Sequence, residues 1–180
     1  MAGRKVIWAD YEATPPVVDR PLGEVTRREA EAAFDQLMEI KADRKDQLVQ
    51  LLERNGVATD DSDSRLWVRR VAAWIVDSVE PKGASIEDIW FVVAQDVGLT
   101  LGDLMIRDTE GRLEWRLFTA GATDLAYQRP VVMGFERTSN AKYNYDPILW
   151  TANYAIAASQ NQSKTPDQLA DAYALVRSFA

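Results

Sequence analysis

The chain has no cysteine and no histidine. That excludes disulfides, thiol nucleophiles, Cys/His zinc sites, histidine-based triads and haem held through either side chain. Basic residues are scarce too: 21 Lys and Arg face 28 Asp and Glu, a net charge of −7, and no basic cluster offsets it. A nucleic acid would have to bind against this field, whereas a basic protein partner would be drawn by it. No run of about 18 apolar residues is present, so no membrane span is expected. The short apolar run after Arg4-Lys5 stops at Asp10, too soon for a signal peptide. The missing thiols fit a reducing compartment, and the cytoplasm is the expected location. Neither G-x-x-x-x-G-K-[ST] nor G-x-S-x-G occurs. No cofactor and no metal site is expected.

What is present suits a globular protein: 47% hydrophobic and 27% charged residues over 180 positions. One domain of this length buries about 70% of its unfolded surface. The most apolar stretch, Ile86 to Phe118, organises the rest. At about 100° per residue, Ile86, Ile89, Trp90, Val93, Val97, Leu101 and Leu104 fall on one broad face. This predicts a central buried helix over about 85–107, with Ser85 as N-cap and Asp88 three residues on. Asp108 to Gly111 is turn chemistry. Leu113, Trp115 and Leu117 then alternate with polar residues, as in a half-buried strand.

The predicted architecture is α+β, mainly helical, with a small antiparallel sheet of two or three strands packed on the central helix. Residues 1–25 form an extended segment, with a short edge strand in VIWADYEA and a helix-free proline-rich piece. Residues 26–80 are helical. Thr26 to Glu29 makes a capping box, and Gly56 ends the helical stretch begun there, read as two helices or one kinked helix. The next helix carries Leu66, Trp67, Val71, Trp74 and Ile75 and stops at Pro81. Trp8 and Trp67 fit the core spacing least well and are candidates for exposure. Residues 85–135 hold the central helix and a hairpin whose second strand is Tyr127 to Phe135, with Pro130 implying an edge or a strand start. Residues 146–179 form two helices, the first opened by Asp146-Pro147 and the last by Thr165 to Gln168.

Three groups of residues could carry function. Asp96, Asp103 and Glu114 are the candidate catalytic carboxylates of a metal-assisted hydrolase. Structural pairing is the competing account, Asp103 with Arg107 four residues later and Asp96 with Arg69, Arg70 or Arg129. Tyr127, Arg129, Tyr143, Asn144, Tyr145 and Asp146 combine tyrosine and arginine in the manner of interface hot spots, with loop anchoring as the alternative. Gly98 and Gly102 lie one turn apart, and a close approach by the Trp115 strand or another helix would explain them.

The run Asp96-x-Gly98-x-x-x-Gly102-Asp103 followed by Leu113-Glu-Trp115, then Arg129-Pro130-Val-Val-Met-Gly, resembles a helix-to-strand signature of small bacterial proteins of unknown function, of actinobacterial type. Some of these resemble immunity proteins of bacterial toxin systems. The resemblance spans about Ile89 to Phe135 and implies a cytosolic protein without established catalytic residues. The expected function is therefore that of a non-enzymatic acidic protein binding a protein partner. A carboxylate hydrolase or a small-molecule-binding domain is the alternative.

Overall fold

A computed structural model describes residues 5–12, 24–140, 142–160 and 164–180. The proline-rich stretch, expected to be extended, lies outside them. Among the described residues the fold is α+β, with helices α1 (Arg27–Arg54), α2 (Ser64–Ser78), α3 (Asp88–Asp108), α4 (Pro147–Ser159) and α5 (Pro166–Arg177). Strands β1 (Glu114–Leu117) and β2 (Pro130–Met133) pair antiparallel, with Trp115 opposite Val132.

Helix boundaries follow local chemistry. Thr26 and Glu29 close the capping box of α1. The helix then runs unbroken, as expected where neither glycine nor proline intervenes. It ends in a Schellman motif: Gly56 (φ 73°) donates its N–H to Glu53 O, and Val57 donates to Leu52 O at 2.9 Å. Asp63 and Asp146 cap α2 and α4 by accepting from the backbone N–H of Leu66 and Leu149.

Helix α3 starts later than the sequence suggests. Ser85 is not its N-cap; it exchanges two backbone hydrogen bonds with Lys82 in a tight turn. Glu87 occupies the cap without a side-chain bond, and Ile86 is buried ahead of the helix. By length and a mean hydropathy of 1.5, α3 could cross a membrane, yet 67% of that window is buried within the protein. It packs mainly on α4 and α1, while α2 packs on α5. The core cluster draws on all five helices and includes Leu48, Ile75, Val97, Tyr154 and Tyr173.

Three further expectations are corrected. Trp67 is 1% exposed, because it shares the Val71, Trp74 and Ile75 face of a helix covered on several sides; Leu66 is the exposed residue of that pair. The second strand is only Pro130–Met133, because Gln128 takes a left-handed turn (φ 60°) before it and Gly134 (φ 107°) follows it. The N-terminal residues 5–12 form no strand; β2 is instead flanked by a single bridge from Tyr145 to Val132.

Candidate functional site

The glycines of α3 are contact points. A Cβ on Gly98 would lie 2.5 Å from Ile148 Cα, where the start of α4 crosses the helix. A Cβ on Gly102 would lie 2.0 Å from the Trp115 ring. Both neighbours sit closer than a side chain allows, so α4 and β1 owe their positions to the missing Cβ atoms.

Asp96, two residues before Gly98 on α3, is 0% exposed. Its partners come from far away in sequence. Arg44 of α1 makes a two-pronged contact, Nε to Oδ1 at 3.0 Å and Nη2 to Oδ2 at 2.5 Å, and the Tyr11 hydroxyl donates to Oδ2. Arg44 also reaches Gln47 and the backbone of Glu12, and its guanidinium stands 5.3 Å from the Tyr11 ring centre. Burial raises the Asp96 carboxyl above its ordinary value, while the hydrogen bonds from Arg44 and Tyr11 pull it back. The Tyr11 hydroxyl is raised by burial and by the neighbouring carboxylate. Arg69, Arg70 and Arg129 are not the partners. The cluster fastens the N-terminal segment and α1 onto α3, helped by paired hydrogen bonds between Asn55 and the Ile7 backbone.

Asp103 does not pair with Arg107. Lys41 Nζ reaches its Oδ1 at 2.6 Å, and Trp115 Nε1 donates to the same atom at 2.8 Å. Arg107 turns away to Asp61, Ser64 and Asp108, an arrangement joined by Lys45, Tyr173 and Arg177. For both acids burial pulls upward and loses. Lys45 and Arg107 hold Asp61 below the usual carboxylate range, and Ser64, Arg177, Tyr173 and Arg107 hold Asp108 there. Glu114 is exposed and paired with Arg116 on its own strand. Thus Asp96, Asp103 and Glu114 each have separate partners. Among the described residues no group of three or more carboxylates could hold a metal.

The Tyr/Arg set is partly drawn together. Arg129 forms an ion pair with Asp146, which also caps α4. Tyr145 is buried, its ring edge-on to Trp150, while Tyr143 lies between Phe135 and Phe179 with ring centres 5.1 and 5.6 Å away. Tyr127 and Asn144 are half-buried. These contacts anchor the loops on either side of β2, and Trp150 offers the exposed aromatic surface nearby.

Charge is sorted unevenly between the two sides of α1. Its Lys41, Arg44 and Lys45 turn inward to Asp103, Asp96 and Asp61. Glu31, Asp35, Glu39, Asp43 and Asp46 are exposed and fall within about 120° of arc on the opposite side, over roughly 22 Å of helix. Glu31 pairs with Arg27; among the described residues the other four have no hydrogen-bond or ion-pair partner. The register of basic residues against the heptad-like Leu37, Leu48 and Leu52 face could have revealed this division in the sequence.

No protein-family model matches the chain, and neither the curated proteins nor the solved structures contain a match.

Proposed function

We propose that this is a non-catalytic acidic interaction protein that engages a basic protein partner through the outer face of α1, in the manner of an immunity protein or antitoxin acting in the cytoplasm. The observation that carries the reading is the sorting of charge on α1. Its inward bases are neutralised by buried or half-buried acids, so the excess negative charge of the chain is expressed outside. Asp35, Glu39 and Asp43 stand at i, i+4 spacing, where like charges destabilise a helix by a few tenths of a kcal/mol each. Folding gains nothing from that arrangement, whereas a basic partner would gain both attraction and a faster encounter. The likeness expected for residues 89–135, to small bacterial proteins of which some are immunity-like, is consistent with this proposal. The hydrolase alternative has less behind it, because each of its three carboxylates is held by other side chains.

The test is capture of partners from lysate of the native host on immobilised protein, at low and at moderate salt. A specific basic protein retained at low salt and weakened at moderate salt is expected. Failure to retain any specific protein in either condition overturns the proposal.

A further inference from the structure

Helix α4 packs on α3 and α5 packs on α2, and a cleft of about 220 Å³ lies between α4 and α5. Trp150, Asn153 and Tyr154 of α4 line one wall, Gln168 and Leu169 of α5 line the other, and Lys164 stands just ahead of α5. The upper walls are accessible: Trp150 is 45% exposed, Asn153 and Gln168 are exposed, and Lys164 is half-buried. Tyr154 and Leu169 are buried beneath them. Tyr145 braces the Trp150 ring edge-on. The Tyr154 hydroxyl donates to Thr165 O at 3.0 Å, which commits its proton. Gln168 Oε1 accepts from the Thr165 backbone N–H, which leaves the amide N–H groups of Gln168 to donate. Among the described residues Lys164 is the only charged group lining the cleft, and neither it nor Asn153 has a partner. The acids that follow on α5, Asp167 and Asp171, are paired with Arg69 and Arg65 of α2.

Each feature restricts the occupant. An ammonium with no carboxylate in the same walls favours an anion. Salt screens more distant charges over about 8–10 Å, so the groups lining the cleft count for more than the net charge of the chain. Two amides that can donate beside that ammonium suit a carboxylate, whose oxygens accept several charge-assisted hydrogen bonds. The braced indole offers a face or edge to another aromatic ring. An apolar cavity of roughly 150 Å³ accepts benzene, so this larger cleft has room for one ring and its carboxylate. We propose that the cleft binds a small aryl carboxylate, its ring against Trp150 and its carboxylate received by the Lys164 ammonium and the amide N–H groups of Asn153 and Gln168. A few convergent polar groups on an aromatic and aliphatic wall are the usual make-up of small-molecule sites. The site is independent of the outer face of α1 and stands whether or not that face binds a partner.

The probes are benzoate, its neutral isostere benzamide, and acetate, which keeps the charge without the ring. Each is titrated while the Trp150 indole N–H and the side-chain amide resonances of Asn153 and Gln168 are followed by NMR. Saturable shifts at these groups are expected with benzoate, and much weaker ones with benzamide and with acetate. Lys164→Gln should weaken benzoate about fivefold, the upper range of an exposed ion pair, and leave the response to benzamide unchanged. Lys164 holds no partner among the described residues, so this variant should fold; Asn153→Ala, also at an exposed and unpartnered position, gives a second weakened variant. An equal response to benzamide or acetate, undiminished binding of benzoate by the folded Lys164→Gln protein, or no shift at Trp150 with benzoate overturns the proposal.

Discussion

The inner and outer faces of α1 use the same residue types to opposite ends. Inside, Arg44 meets Asp96 where both are almost fully removed from water, so desolvation and attraction are both large. Outside, Asp35, Glu39, Asp43 and Asp46 face solvent without partners among the described residues, and the terms that govern them are small. Burial therefore separates charges that hold the fold from charges free to meet another molecule.

The largest effect should follow from breaking the inner contact. Arg44→Ala leaves a buried carboxylate with Tyr11 as its hydrogen-bond donor among the described residues, and removing one partner of a buried pair costs about 3–5 kcal/mol. Urea unfolding should show the loss as a lower midpoint at unchanged slope. Stability within about 0.5 kcal/mol of wild type, the range of an ordinary surface substitution, would mean that the inner face is no more structural than the outer one.

The α3 glycines come next and rank against each other. Gly98→Ala drives a methyl into the backbone of α4, which moves only if the helix does. Gly102→Ala meets the rim of the Trp115 ring, which can tilt at the expense of its bond to Asp103. Helix propensity favours alanine at both sites by about 1 kcal/mol. Overpacking should outweigh it, giving a net loss of about 1–3 kcal/mol at Gly98 and a smaller one at Gly102. A stabilising Gly102→Ala would show that the Trp115 contact yields freely.

A smaller effect concerns acid. The folded-state values of Asp61 and Asp108 are depressed. Their contribution is present above the unfolded carboxylate value of about 3.9 and is lost as pH falls through the lower folded values. Asp61→Asn should therefore flatten the acid side of the stability–pH curve relative to wild type, in urea midpoints compared from about pH 5 downward. The comparison cancels the opposite tendency of Asp96, whose value burial raises. Parallel curves would mean that Lys45 and Arg107 do not stabilise the ionised form.

How much of this was legible follows the range of the interactions. Caps and stops are local, so Thr26, Gly56, Asp146 and Thr165 marked helix ends in the sequence. The small residues of α3 signalled a close approach, although nothing in the sequence distinguished Ile148 from Trp115 as the neighbour at each. Pairing was legible only as a need. Asp96 required a cation, but Arg44 lies 52 residues away, and the apparent i, i+4 pair of Asp103 and Arg107 lost to longer-range partners on α1 and the loop before α2. Trp67 is buried despite its spacing because a helix buried on several sides accepts large residues beyond one narrow stripe.

The outer face of α1 is tested most directly by salt-dependent capture of host proteins by wild type and by a variant carrying D35N, E39Q, D43N and D46N. The variant should unfold at the same urea midpoint or slightly higher, since like-charge repulsion is relieved. It should lose the basic partner that wild type retains at low salt. Undiminished capture by the folded variant would contradict the account and move the interaction surface elsewhere on the molecule.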